Sequence, residues 1–165
     1  VLQDLKRYEE ALSAYDRVLA LDANNAAAWT NKSVVLLDLE RYEEALSAYD
    51  QVLALDANDV DAWNNKGIAL QILKRYEEAL SAFDQALALD TNDAVAWIDK
   101  GNVLQNLKRY EEALSAYDRA LALDANDAAA WYNKGNTLRN LKRNEEAISA
   151  YGRAHAINPN LAIPR

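Results

Sequence analysis

The sequence predicts an all-α repeat protein of about nine helices, arranged as antiparallel helix pairs. A 34-residue unit repeats in tandem along the 165-residue chain, and apolar residues recur within each unit at helical spacing. Gly (4) and Pro (2) are too scarce for a turn-rich β fold. The clearest marker of the period is tryptophan, found at Trp29, Trp63, Trp97 and Trp131.

The repeat can be traced along the whole chain, so we treat residues 1–165 as a single array. The start at Val1 rather than Met is typical of a fragment or a processed chain. Positions 1–34 are counted below from the start of each copy. Full copies occupy residues 26–59, 60–93, 94–127 and 128–161, after a partial copy at 1–25 and before the start of another at 162–165.

Each copy is predicted to form two helices. In the second full copy, Trp63 and Leu70 lie seven residues apart, on one face of a first helix. The second helix follows from the 3, 1, 3, 3 and 1 steps between Tyr76, Ala79, Leu80, Phe83, Ala86 and Leu87. Asp59 suits the N-cap of a first helix, and Asn58 before it suits a left-handed stop of the preceding helix.

The order W-x₂-K-G…Y-x₂-A-x₃-Y/F-x₂-A at a period of 34 resembles the tetratricopeptide repeat (TPR) family over essentially the whole chain. The resemblance implies an α-solenoid, a right-handed superhelix of helix pairs. It also implies that the first helices line a concave groove that binds peptides. One departure is systematic, because lysine replaces the usual leucine at position 7, as Lys32, Lys66, Lys100 and Lys134.

Comparing the copies with each other separates packing from recognition. The second helices are almost identical, whereas the first helices vary. Positions 3, 4, 7, 11 and 14 read Ala, Trp, Lys, Leu and Leu in all four full copies, and they cluster on one side of a helix. Positions 2, 5, 6, 9, 12 and 13 vary and cluster opposite. The constant side is predicted to pack, and the variable side is either plain solvent surface or a recognition surface.

The variable side is rich in Asn, Gln and aliphatic residues. Side-chain amides both donate and accept hydrogen bonds, so they can pair with a peptide backbone. Position 6 supplies Asn31, Asn65, Asp99 and Asn133, which resembles the asparagine ladders of some TPR grooves. We predict that an extended peptide binds along this side. The candidate groove residues are Thr30, Asn31, Asn64, Asn65, Ile68, Gln71, Ile98, Asp99, Asn102, Gln105, Tyr132, Asn133, Asn136 and Arg139.

The TPR family also has a carboxylate clamp, which grips a peptide C-terminus with Lys, Asn and Arg. Asn102 and Asn133 match two of its Asn places. Ile98 stands at a Lys place, however, and no complete further copy supplies the remaining Lys and Arg, so the clamp is not predicted. Arg139, the only cation on the groove side, could take a carboxylate.

The position-7 lysines lie on the packing side, where a buried ammonium is costly unless it is paired. We predict that each lysine stem packs while its ammonium reaches carbonyls or an acid at the end of a second helix. The alternative is an ammonium that extends to water. The candidate acids are Asp56, Asp90 and Asp124.

No catalytic residue, metal or cofactor is predicted. The chain has no Cys, and its one histidine, His155, replaces a repeat leucine. Paired glutamates such as Glu43 and Glu44 recur on a solvated face. The acidic stretch 56–61 lacks the Gly and Glu of a calcium loop. The repeated Tyr and Trp residues are predicted to pack rather than to stack on bases.

Composition predicts a soluble, cytoplasmic protein, and the TPR resemblance implies a non-catalytic interaction scaffold with a protein or peptide partner. The net charge of −8 argues against nucleic acid and against an anionic membrane surface. The last helix leaves apolar Ile148, Ala154 and Ile157 in need of cover, which predicts either that the chain was cut from a longer array or that its ends associate head to tail. The alternative functions are a structural self-assembling array and an engineered repeat protein without a natural ligand.

Overall fold

A computed structural model describes the backbone of residues 2–162 and the side chains of residues 6–162. This part of the chain forms nine α-helices and no strand, which confirms the all-α fold of repeated helix pairs. Even-numbered helices are the first helices of the copies, and odd-numbered ones are the second helices. They are α1 (Leu2–Leu21), α2 (Ala26–Asp38), α3 (Tyr42–Leu55), α4 (Val60–Ile72), α5 (Tyr76–Leu89), α6 (Ala94–Asn106), α7 (Tyr110–Leu123), α8 (Ala128–Asn140) and α9 (Asn144–Ile157).

The helices form two compact units. Unit 1 is Val1–Leu89 and contains α1 to α5, and unit 2 is Asp90–Arg165 and contains α6 to α9. Within unit 1 each helix from α1 to α5 packs on the next one. Within unit 2 the same holds from α6 to α9, and α6 also contacts α8 directly. Unit 2 therefore brings two first helices together.

Buried apolar side chains from the constant positions form the core. In unit 1, Leu36, Ala45 and Tyr49 lie in one cluster against Trp29 and Trp63. In unit 2, a second cluster packs against Trp131 and contains Leu114, Leu138, Ala147 and Tyr151. The Trp indole N–H groups donate to carbonyls of the preceding linkers at 2.8–3.0 Å. The prediction that the Trp and Tyr residues pack is confirmed for these rings.

Each first helix begins with a side-chain cap, as predicted for Asp59. The Asp59 carboxylate accepts a hydrogen bond from the Ala62 N–H at 2.9 Å, and Asn25, Asp93 and Asp127 cap α2, α6 and α8 in the same way. The predicted left-handed stop at Asn58 is wrong, because no positive φ is found there. Instead Asp56 is extended, and its carboxylate accepts the Asn58 N–H at 2.9 Å. This Asx turn makes a left-handed residue unnecessary.

The left-handed residues lie inside each copy, between its two helices. They occupy position 15, and they are Glu40, Lys74, Lys108 and Lys142, with φ between 59° and 61°. At Lys108, the Lys108 N–H donates to Gln105 O and the next N–H, of Arg109, donates to Leu104 O. This is the Schellman motif, which usually has glycine at the left-handed place.

The position-7 lysines are paired, but not with the predicted aspartates. The ammonium groups of Lys32, Lys66 and Lys134 lie 2.6 Å from Asp16, Asp50 and Asp118, respectively. These acids sit within the preceding second helices, whereas the carboxylates of Asp56 and Asp124 are used in turns beyond the helix ends. All four lysines also lie 5.1–5.2 Å from the centroid of the Trp ring one turn earlier.

The last helix differs from the prediction in one residue. Ala154 is fully buried, so it needs no further cover, because it faces inward among the buried side chains of α9. Ile148 is 71% exposed and Ile157 is 38% exposed. Across residues 2–162, no helix combines the length and the apolar character needed to cross a membrane.

Candidate functional site

The variable side of the first helices is not ordinary solvent surface. In α6 and α8, the residues at positions 5, 6, 9 and 12 are half-buried apart from Arg139, which is exposed. The residues at positions 2 and 13 of these helices are exposed. In unit 1, the candidate residues on α2 and α4 are also half-buried except for Asn31. Half-buried amides keep a fixed place while one edge remains accessible, which is what a binding surface needs.

Asn102 is the centre of a polar network in unit 2. Its Oδ1 accepts hydrogen bonds from the Tyr117 hydroxyl and from the Asn133 side-chain amino group, both at 2.9 Å. These residues belong to α7 and α8, so one amide oxygen of α6 connects three helices. The Gln105 Oε1 lies 3.4 Å from the same Tyr117 hydroxyl.

Asp99 lies beside this network, at the position-6 place that is Asn in the other full copies. Burial raises the pKa of its carboxyl, while a hydrogen bond with the Asn102 side chain opposes that rise. The nearby Asp93 carboxylate raises the pKa further. Asp99 therefore introduces a titratable acceptor where the repeat otherwise has a neutral amide.

A second Tyr–Asn pair lies in the next copy. The Tyr151 hydroxyl donates to Asn136 Oδ1 at 2.8 Å, from α9 to α8. The Tyr151 ring lies against the Tyr132 ring, with centroids 5.7 Å apart and planes tilted by 53°. Burial raises the pKa of Tyr151. Tyr132 thus presents a half-buried aromatic surface next to the Asn136 amide.

A glycine at position 8 allows the aromatic ring from the second helix to reach the first helix. A Cβ on Gly101 would lie 2.5 Å from the Tyr117 ring, and one on Gly135 would lie 2.6 Å from the Tyr151 ring. Both contacts are too short for a real side chain. The ring therefore occupies the space that a side chain would fill, and its hydroxyl reaches position 9.

Unit 1 lacks these pairs. Position 9 is Ile68 in the second full copy, and the ring opposite it is Phe83, which has no hydroxyl. In the first full copy, position 9 is Val34 and the ring is Tyr49. Among the described residues, the buried Tyr49 hydroxyl has no hydrogen-bond partner. Burial raises the pKa of Tyr49 to about 12, with a partial offset from Ser33, whose hydroxyl donates to Thr30 O.

The structure brings together most of the candidate residues in unit 2. Asn102, Gln105 and Asn133 share the Tyr117 network with Asp99 beside it, and Asn136 and Tyr132 adjoin Tyr151. Arg139 stands in the last turn of α8 outside these bonds. Sequence reasoning treated Tyr117 and Tyr151 as packing residues only. The sequence did contain a signal for their polar role. The ring is Phe83 where position 9 is the aliphatic Ile68, and it is tyrosine where position 9 is Asn102 or Asn136.

Comparison with known proteins identifies the family. The tetratricopeptide repeat family model matches residues 1–60, 32–94 and 98–162. The chain belongs to the tetratricopeptide repeat family. No curated protein matches this TPR chain by sequence.

Solved structures of similar fold cover nearly the whole TPR chain. A crystal structure of MamA superposes with a TM-score of 0.91 at 21% identity, covering 95% of this chain and 92% of that one. MamA 41-end from Desulfovibrio magneticus RS-1 gives 0.89 at 22% identity, covering 96% and 90%. At these identities the likeness concerns the fold. YrrB, a TPR protein described as having an unusual peptide-binding site, gives 0.86 at 30% identity, covering 96% and 82%.

A second surface, on the opposite side of the first helices, is charged. In unit 2 an open cleft of about 540 Å³ is lined by acids and bases that include Asp118, Lys134, Arg143 and Glu146. Arg143 forms two short bonds to Glu146, at 2.7 and 2.8 Å. The described residues hold no group of three or more His, Asp or Glu side chains placed to bind a metal ion. Lys134 is paired with Asp118, and Arg143 with Glu111 and Glu146. The candidate site therefore remains the variable side of the first helices, called the amide-lined side for its Asn and Gln residues.

Proposed function

We propose that this TPR chain is a protein-interaction scaffold that binds an extended peptide segment along the variable side of its first helices. The TPR family and fold support the scaffold role, and the peptide-binding site described for YrrB is consistent with a peptide ligand. The observation that carries the proposal is the Asn102 network. A set of half-buried amides held in place by Tyr117 and Asn133 suits main-chain recognition, because amides can match the donors and acceptors of an extended backbone.

The proposed contacts divide by chemistry. On α6 and α8, Asp99, Asn102, Gln105, Asn133 and Asn136 provide polar contacts. Ile98 and Tyr132 provide apolar contacts at position 5, and Arg139 provides a cation at the rim of the α8 surface. On α2 and α4, the same side provides Thr30, Asn31, Asn64, Asn65, Ile68 and Gln71. A protein or peptide is the proposed partner, and the predicted cytoplasmic location stays a prediction.

A random peptide display library selected against the purified chain tests this proposal. We expect enriched peptides to bind the parent and to be lost on a variant with Asn133 and Asn136 both changed to Ala. The matched control is Asn144→Ala, which removes an exposed amide from the second helix α9, outside the variable side of the first helices. The absence of enrichment on a folded, monodisperse parent would contradict the proposal, as would equal binding by the double variant.

A further inference from the structure

The residue at position 9 and the aromatic residue opposite it, at position 24, are matched in three of the four full copies. Asn102 faces Tyr117 and Asn136 faces Tyr151, each across a hydrogen bond of 2.8–2.9 Å. Where position 9 is Ile68, the ring is Phe83. In the first full copy, position 9 is Val34, and the buried Tyr49 hydroxyl has no partner among the described residues. The hydroxyl is thus used only where an amide stands at position 9.

The hydroxyl determines which way the amide points. An amide oxygen accepts hydrogen bonds and its nitrogen only donates, and in this structure both hydroxyls donate to the oxygen. The rings cannot retreat easily, because they are packed at the position-8 glycines and buried among the helices. The oxygen of each amide is therefore held toward the second helix, and the amino group turns away from it.

The two amino groups have different surroundings. The Asn102 side chain lies next to the Asp99 carboxyl. The Asn136 amino group has no hydrogen-bond partner within the described part of unit 2, and the residue is half-buried beside Tyr132. It is an oriented donor next to an aromatic surface.

We infer that Tyr117 and Tyr151 are positioning residues, which fix the Asn102 and Asn136 amides so that Asn136 donates to a carbonyl oxygen of the bound peptide. The inference rests on the proposed function for its ligand. The ligand class is then an extended segment recognised at this place by a backbone carbonyl rather than by a backbone N–H. Tyr132 lies beside that carbonyl and contacts the adjoining apolar part of the segment.

The first test needs no ligand. Side-chain ¹⁵N relaxation of the free protein is compared for the parent, Tyr117→Phe, Tyr151→Phe and the control Tyr49→Phe. Tyr→Phe is compatible with the fold, because Phe83 occupies the equivalent place. We expect Tyr151→Phe to mobilise the Asn136 amide alone and Tyr117→Phe to mobilise the Asn102 amide, while Tyr49→Phe changes neither. Amides that stay equally rigid without the hydroxyl would overturn the positioning role.

The second test uses a peptide selected on the parent. We expect Tyr151→Phe to weaken binding about tenfold, the effect of losing one well-placed hydrogen bond. Asn136→Asp keeps the oxygen that accepts from Tyr151 but replaces the amino donor with a second oxygen, and we expect a loss at least as large. Retained or tighter binding by Asn136→Asp would show that the ligand presents an N–H there and would overturn the carbonyl assignment.

The two tests separate the inference from the proposed function. If no peptide binds the parent, the proposed function fails, while the relaxation experiment still decides whether the tyrosines position the amides. If peptides bind and the relaxation is unchanged, the proposed function stands and the inference fails. A circular-dichroism melt of every variant confirms that binding is compared between folded proteins.

Discussion

At the scale of single residues, the amide-lined side depends on hydroxyl groups that are not themselves exposed. The Tyr117 hydroxyl has acceptors on Asn102 and Gln105, whereas the buried Tyr49 hydroxyl has none among the described residues. A buried polar group without a partner loses its hydrogen bonds to water and gains nothing in exchange. The same side chain therefore has opposite energetic effects in two copies of one repeat.

These two tyrosines yield a paired prediction for stability. Tyr49→Phe removes an unpaired hydroxyl, so we expect the free energy of unfolding to stay level or to rise by up to about 1 kcal/mol. Tyr117→Phe removes a satisfied hydroxyl, so we expect a loss of about 1 kcal/mol. Urea unfolding followed by circular dichroism measures both. Equal losses in the two variants would contradict the difference in hydrogen bonding.

Asp99 yields a prediction with a pH dependence. Burial raises the pKa of the folded-state carboxyl above its unfolded value, so the ionised form opposes folding at neutral pH. The penalty decreases as the pH falls through the folded-state pKa, and it is gone below the unfolded value of about 3.9. We expect Asp99→Asn, which restores the residue of the other full copies, to be stabilising at pH 7 and neutral at the acid end. A gain that is independent of pH would contradict this origin.

At the scale of helices and turns, every full copy has the same N-cap and the same turn between its two helices. Asp or Asn caps every first helix from α2 to α8, and the Schellman turn at position 15 reverses the chain into the second helix. The turn residue is Glu or Lys with positive φ, although an L-residue with a Cβ is strained there. Asp and Asn are preferred at the N-cap, so the caps agree with residue preference. Glu and Lys are disfavoured at positive φ, so the turns form against residue preference.

The strained turn predicts a stabilising substitution. Lys108→Gly removes the Cβ at φ 60°, so we expect a gain in the free energy of unfolding of about 1 kcal/mol. Lys108→Ala removes the same charge while keeping the Cβ, and it is expected to give no such gain. Parallel chemical denaturation of the two variants measures the difference. A gain shared by both would assign the effect to the lysine charge instead.

The position-7 lysines are stabilised by a salt bridge to the preceding second helix and by a cation–π contact with the Trp ring of their own helix. The Lys66 side chain is 22% exposed, lies 5.2 Å from the Trp63 ring centroid and is paired with Asp50 of the preceding second helix. The lysine therefore forms a polar link between neighbouring copies within unit 1. Lys134 and Asp118 form the same link in unit 2. This explains how a cation can replace the leucine usual at that position.

At the scale of the whole molecule, the repeated positions form the packed helices, and the positions that vary between copies form the proposed binding surface. The second helices are nearly constant, while the amide-lined side differs between the units. Position 9 is aliphatic at Val34 and Ile68 in unit 1, and it is an amide at Asn102 and Asn136 in unit 2. Oriented polar recognition is therefore expected of unit 2, and apolar contact is expected of unit 1.

Head-to-tail self-association stays a prediction at this scale. Ile148 on α9 is 71% exposed and offers an apolar side chain to another molecule. Light scattering across a concentration series measures the association, and Ile148→Gln is expected to reduce any growth in mass. A strict monomer at every concentration would contradict the prediction and leave the amide-lined side as the proposed interaction surface.

Much of the fold and of the candidate site followed from the sequence alone. The 34-residue period predicted the helix pairs, and the periodicity of Trp63 and Leu70 predicted the packing side. The variation of positions 2, 5, 6, 9, 12 and 13 singled out the opposite side, and its role in binding stays a prediction. These features are local, because helix periodicity and capping depend on residues a few positions apart. The sequence by itself therefore determined the architecture of each copy and which side of a first helix could vary.

Only the tertiary structure decided which side chains meet across helices. The Lys66–Asp50 pair spans 16 residues, the Tyr117–Asn102 bond spans 15, and the Asn133–Asn102 bond spans 31. These contacts depend on how closely the helices approach, which the position-8 glycines and the turns at position 15 control. Periodicity assigns a residue to a face but does not define the reach of its side chain. For that reason the lysine partners and the positioning tyrosines emerged only once the helices were packed.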